Sequence, residues 1–402
     1  MVSTARLCVI CKGKGLCGNK RCPLITRIQI KPKIEKSVSI EFFGPSISVF
    51  VGRVGYPNIN IGPLGAIEFK RDLDNPNSWF GKDYSEIIEL RSYTLRSKYI
   101  QNVYSKSIFI EKIQELALSS KPVDIEMYFK RKPVMKLSFS DIIQPMGPSA
   151  TLKKLRITEN PKIQNKVEKI INDEIKTSEA CFLLYKKGED VYKITTILSS
   201  GVLGLKENKK LVPTRWSITC IDDIIAKNLI EKIKEYPSIN QYLVYSSEYL
   251  FNHFEILLIP GKWEYENFEA WAPGSFWSKN LKKPMIVEEY ESFKGRTSYA
   301  DKEGGGYYAA RLGVVEGLNK IKKQAKVVVF REVYEGYTIP LGVWVVRETV
   351  RNAFKNKPKR FEDLKSALNY VNLKLKLPLK EYIKKSKILQ QKRLIDFIKL
   401  NK

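Results

Sequence analysis

Four of the six cysteines in this 402-residue chain lie within its first 22 positions, as Cys8, Cys11, Cys17 and Cys22, and Pro23 follows them. The spacing is C-x2-C-x5-C-x4-C. Four thiolates confined to so short a stretch can saturate one tetrahedral metal ion, and such a closed site is structural. Gly13, Gly15 and Gly18 permit the left-handed turns that a short loop around an ion requires. Lys12, Lys14, Lys20 and Arg21 offset the negative charge of a tetrathiolate centre. From Cys11 to Cys22 only Leu16 is an apolar companion, so four separately buried thiols account for the cluster poorly. Zinc is the expected metal, with an iron–sulfur cluster as the alternative.

Charge is the second constraint. The chain holds 70 Lys and Arg against 43 Asp and Glu, a net charge of +27. Adaptation to high temperature raises both signs together, so the one-sided excess points to a polyanionic partner. Nucleic acid comes first, DNA or RNA, and an anionic membrane surface well behind. With 43% hydrophobic residues the composition is that of a folded protein. No run of 18 apolar residues exists to span a bilayer. The chain enters the cysteine cluster without an apolar leader, and a cytoplasmic location is expected.

Periodicity predicts an α+β fold, mixed sheets with packed helices, lacking both internal repeats and a βαβ rhythm. Residues 1–26 form the zinc module, 27–285 an α+β core, 286–354 a second α+β part, and 355–402 a basic helical tail. That tail has 15 basic and 4 acidic residues. Residues 28–34 alternate as extended chain. Strands are expected at 46–54, 59–61, 123–129, 134–139, 241–249, 255–259 and 327–331. Helices are expected at 83–101, 107–119, 163–175, 222–236, 309–323, 341–353 and 361–373. A hairpin is expected from 180–185 and 191–198.

Several constellations can carry chemistry. The run F-V-G-R-V-G-Y-P at 50–57 sets Arg53 and Tyr56 on a glycine turn, suited to gripping phosphate and stacking on a base. Trp271 and Trp277, followed by Lys282 and Lys283, place aromatics beside cations, as single-stranded or flipped bases require. Core packing beneath a loop explains the same tryptophans. Glycines 304–306 lead into a helix, a natural anion site to which Arg311 adds charge. Arg215 precedes the paired carboxylates Asp222 and Asp223. With Asp301 and Glu303 these are candidate magnesium or manganese ligands for a nuclease; a helix N-cap is the plainer reading. The single histidine, His253, rules out His-rich metal catalysis.

Near the C-terminus, Gln391, Leu394, Phe397 and Ile398 resemble the box that docks partners on the sliding clamp PCNA. Its three apolar residues fall on one face of a single turn. The final position is Ile where a second aromatic is usual. Taken with F-V-G-R-V-G-Y-P, T-R-W-S-I-T-C-I-D-D at 214–223, W-A-P-G-S-F-W at 271–277 and G-G-Y-Y-A-A-R-L at 305–312, the chain resembles the archaeal Nre family of PCNA-interacting DNA repair proteins, the NreA type in particular. The resemblance spans nearly the whole chain and implies DNA damage repair on a PCNA platform. It supplies no active site. The expected function is DNA binding with recruitment by PCNA. A metal-dependent nuclease and an RNA-processing protein are the alternatives.

Overall fold

A computed structural model describes residues 23–70, 72–136, 146–271, 285–337 and 339–391. The four N-terminal cysteines, Trp277, Lys282, Lys283, Leu394, Phe397 and Ile398 lie outside the described residues. The chain divides into two compact units. Of the described residues, one holds those up to Ile225 together with Ile339–Leu341, and the other holds the remainder from Ala226 on.

The first unit begins with α1 (Pro23–Ser37). The alternation at 28–34 is therefore not extended chain. Ile30 and Ile34, four apart, lie on one helical face and pack with Ala66, Leu73, Tyr93 and Met135. Five strands follow: β1 (Glu41–Val51), β2 (Asn58–Ala66), β3 (Thr94–Asn102), β4 (Val123–Phe129) and β5 (Ser149–Ile157). They close a barrel in the order β1-β2-β3-β5-β4. β1 is long enough to serve both sides of the closure. Its first half pairs with β4, its second half with β2, and the register shifts between Ser46 and Ser48. β3 and β5 are parallel and every other pair is antiparallel. Strict alternation fills the interior: Val123, Ile125, Met127 and Phe129 of β4 are all buried, and their neighbours are half-buried.

Helix α2 (Tyr84–Ser92) carries a capping box between Asp83 and Glu86. The helix expected over 83–101 stops at Ser92. Beyond it Leu95 and Ser97 alternate inward, and the rest becomes β3. α3 (Ile108–Leu118), capped by Ser107, lies between β3 and β4 and drives Ile110, Ile113 and Leu116 into the barrel core. This strand order, with a helix between the third and fourth strands, is that of the OB barrel.

Of the strand expected over 134–139, Val134 makes an isolated bridge with Ser149, and residues 137–139 lie outside the described residues. Helices α4 (Asn165–Asn172), α5 (Thr177–Lys186) and α6 (Val191–Ser199) complete this region. The expected hairpin is thus α5 and α6. Asp190 caps α6 by accepting the Tyr192 and Lys193 amides. Ile194, Ile197 and Leu198 recur at helical spacing, which outweighs their β-branched content. Helix α7 (Thr214–Glu235) starts eight residues earlier than expected, and the division between the units falls inside it.

The second unit is built on a six-stranded mixed sheet. Its strands are β6 (Tyr242–Tyr249), β7 (Asn252–Ile259), β8 (Glu264–Trp271), β9 (Met285–Glu291), β10 (Lys326–Val333) and β11 (Lys359–Phe361). Their order is β11-β6-β7-β10-β8-β9. Ahead of Trp277, residues 264–271 form β8, and Trp263 and Phe268 lie in the core, as the packing reading of these aromatics expects; residues 272–277 lie outside the described residues. One face packs against α8 (Gly305–Ile321) and α9 (Trp344–Ala353). The other face packs against α10 (Leu364–Lys374), α11 (Leu379–Ile383) and α12 (Lys387–Gln390) through Ala367, Val371, Tyr382 and Ile388. The basic tail is accordingly, up to Gln390, an integral layer of this unit. Its lysines point outward while every third or fourth apolar residue covers the sheet.

Candidate nucleic-acid interface

Val49, Val51, Ile59, Ile61 and Leu95 fill the barrel. The alternate residues Phe50, Asn60, Arg96, Lys98 and Ile100 are therefore on its outer side. Ile100, opposite Asn60 in the ladder, is 67% exposed. The Arg96 guanidinium lies 3.4 Å from the centre of the Phe50 ring, and its Nη1 reaches Met146 Sδ at 3.0 Å. Arg96 Nε is buried without a hydrogen-bond partner among the described residues. Burial, with repulsion from Arg91, pulls the Arg96 pKa down to about 10. Burial, then Arg96 and Lys136, lowers that of Lys98. These are cations crowded by other cations.

The β1–β2 turn rises at one end of this face. Gly55 sits at φ 85°, a conformation open to glycine. The turn is closed by Gly52 N–H donating to Asn60 O at 2.8 Å and Asn58 N–H to Gly55 O at 2.8 Å. Arg53 and Tyr56 project from it, exposed. Tyr56 meets Trp216, with ring centres 5.2 Å apart and planes tilted by 49°. Trp216 is brought there by α7: Thr214 Oγ1, 163 residues from Val51, accepts the Val51 N–H at 3.0 Å and pins the helix start to the end of β1. Arg215 beside it is exposed. Two of the sequence runs, F-V-G-R-V-G-Y-P and T-R-W, thus form one surface.

The other sequence candidates fall differently. Asp222 and Asp223 lie in the middle of α7, not at its N-cap. Asp222 is buried, and both residues have partners. They belong to the barrel unit, whereas Asp301 and Glu303 belong to the sheet unit. Among the described residues, no group of three or more His, Cys, Asp or Glu side chains is placed to hold a metal ion. Asp301 is exposed and Glu303 buried. Asn267 Nδ2 donates to Glu303 Oε2, and Glu303 Oε1 has no hydrogen-bond partner among the described residues. Burial, then the Glu269 carboxylate, raises the Glu303 pKa well above the usual carboxylate range.

The start of α8 is occupied from within. A Cβ on Gly306 would collide with Glu269 Oε1, and Glu269 is paired with Arg331. Arg311 is fully buried and paired with Glu291, which also accepts the Tyr307 hydroxyl at 2.9 Å. Its charge is spent inside the unit. Trp271 is half-buried at the end of β8. His253 lies between Glu248, at 3.3 Å, and Glu255, at 3.0 Å.

Gln391 is the last described residue, exposed, and its Oε1 accepts from Lys326 Nζ at 2.6 Å. Just before it, Glu266 of β8 accepts the Ser386 hydroxyl and the Lys387 amide, the latter at 2.5 Å. Glu332 of β10 accepts the Lys376 and Leu377 amides at 2.8 and 2.9 Å.

Sequence reasoning named Arg53, Tyr56 and Arg215 but missed Trp216, which stands in the same T-R-W run. It also missed Arg96 and Lys98. The alternation T-L-R-S-K would have revealed them had residues 94–98 been read as strand.

Fold and surface define an α+β protein of two units, one of them an OB-type barrel with an exposed aromatic and basic face. The chain belongs to the archaeal Nre family: the models described as "Archaeal Nre, N-terminal" and "Archaeal Nre, C-terminal" match residues 16–278 and 291–397. DNA repair protein NreA of Archaeoglobus fulgidus is 40% identical over 366 residues, 90% of this chain and 92% of the relative. DNA repair protein NreB of the same organism is 37% identical over 391 residues, 96% and 97%. DNA repair protein NreA of Haloferax volcanii is 36% identical over 356 residues, 85% of each. No solved structure matches.

Proposed function

We propose that this chain is a DNA repair protein that binds DNA and is held at its place of work by PCNA, through Gln391, Leu394, Phe397 and Ile398. The names of its relatives support the repair role. The placement of Gln391 carries the docking half. α12 is fixed to the sheet by Glu266, and the first residue of the box emerges from it at the surface. The remainder of the box thus starts from an anchored point, which confines the protein near a clamp it has engaged and raises its effective concentration on the DNA there. The basic surplus supplies a sequence-independent grip on phosphates. Cys8, Cys11, Cys17 and Cys22 are read as ligands of a structural zinc ion, because four thiolates saturate a tetrahedral site.

Titration of PCNA with wild-type and Phe397→Ala protein tests the reading. The variant loses an aromatic anchor, which costs at least ~2 kcal/mol at a hot spot, or about 30-fold in affinity, and its DNA binding stays as in wild type. Equal clamp affinity of the two proteins would refute the docking assignment.

A further inference from the structure

We infer that the outer face of β1, β2 and β3, together with the β1–β2 turn, is a binding site for single-stranded DNA. The inference deepens the reading that this chain binds DNA and is independent of the clamp box. OB barrels take oligonucleotides on the face of their second and third strands, beside the first turn. A fold alone decides nothing about function, so the residues must carry the argument.

Three observations do so. Tyr56 and Trp216 are 42% and 46% exposed although they touch each other. Two large rings left nearly half in water, one on the turn and one at the start of α7, keep surface that suits a base. Every base has a face that can stack on such rings. A duplex hides those faces between its pairs, so the platform serves a strand whose bases are unpaired. Second, Arg96 and Lys98 follow one another on the outside of β3, and no carboxylate pairs with either among the described residues. The cations near them, Arg91 and Lys136, add repulsion that a phosphate backbone would relieve. Third, the apolar Ile100 stands in water between these cations and the aromatic turn. A base or sugar lying along β3 would cover it. A path therefore runs from Arg96 and Lys98 over Ile100 to Tyr56 and Trp216, with Arg53 beside its end.

The test is fluorescence anisotropy with the full chain and a labelled 15-nucleotide single strand, its duplex and its RNA counterpart. Tyr56→Ala, Trp216→Ala, Tyr56→Phe and Lys98→Ala are compared with wild type, each checked for an unchanged thermal melt. Tyr56→Ala and Trp216→Ala are expected to weaken single-strand binding by about 5- to 150-fold each, the range for losing one stacked base. Tyr56→Phe restores it, and duplex binding is unmoved. Lys98→Ala should reduce the slope of log affinity against log salt by about 0.7, one phosphate contact on a single strand. Single-strand binding by the aromatic variants equal to wild type would overturn the site while leaving the DNA-binding reading in place. Wild-type protein that binds neither strand nor duplex would overturn both. RNA bound tenfold more tightly than DNA, with the same losses in the variants, would overturn the DNA assignment in favour of RNA.

Discussion

Glu332 is the residue whose loss should be felt most in the sheet unit. It is 1% exposed and serves four donors. Oε2 accepts the Lys376 amide at 2.8 Å and the Tyr334 hydroxyl at 3.0 Å; Oε1 accepts the Leu377 amide and the Tyr382 hydroxyl, each at 2.9 Å. Glu332→Ala strands all four. A buried donor without a partner costs about 1–3 kcal/mol. Water can reach some of these donors, since the two amides are only part-buried, so the expected loss is about 3–6 kcal/mol. Against a typical total of about 5–15 kcal/mol that is a large fraction. The damage should begin locally, because the two amides belong to the segment joining α10 to α11. Urea denaturation followed by hydrogen exchange reads both effects: a lowered midpoint, and early exchange at Lys376, Leu377 and the helices after them. Glu332→Gln keeps one acceptor oxygen and turns an NH2 toward two donors, so it should fall between wild type and alanine. A loss below about 1 kcal/mol for the alanine variant, with Leu377 still protected, would refute the view that this carboxylate fastens the C-terminal layer.

Two further predictions concern charge and metal. Because burial and Glu269 raise the Glu303 pKa, the folded protein keeps that proton at a pH where the unfolded chain has released it. Stability contributed by this group is complete below the usual carboxylate range and falls as pH rises toward the folded value. Glu303→Gln should match wild type at pH 4 and melt higher at pH 8; superimposable melting profiles across that range would contradict the argument. Elemental analysis should find one zinc per chain, lost in Cys11→Ser. Iron in its place, or retention of zinc by the variant, would reject the four-thiolate zinc site.

The class of fold was legible from the sequence, and so was much of the candidate surface. Alternation in V-D-I-E-M-Y-F marked β4 without ambiguity, and the clustered glycines around Arg53 and Tyr56 marked a turn that does present them outward. What misled was short-range pattern judged apart from its burial. Residues 191–198 are rich in β-branched side chains, yet Asp190 caps them as a helix. Residues 94–102 continue the apolar spacing of α2 and were absorbed into it. Because that error hid β3, it also hid the ring of strands and the outward Arg96 and Lys98. The glycine run before α8 looked like an anion site, since nothing in its sequence reveals that Glu269, from a distant strand, already fills the space beside Gly306. Long-range partners of this kind are set by topology, and local periodicity carries no record of them.

The order of strands in the larger sheet bears on how such a protein can be inherited. β10 lies between β7 and β8, and β9 continues from β8 at the edge. The family's N-terminal model, ending at residue 278, contains β6, β7 and β8; its C-terminal model, beginning at residue 291, contains β10 and β11. A crossover between the two would remove the central strand of the sheet from one product and orphan it in the other, leaving unpaired backbone on both sides of a gap. The two halves are therefore one heritable cassette, and a lineage that lost either would break the sheet they share.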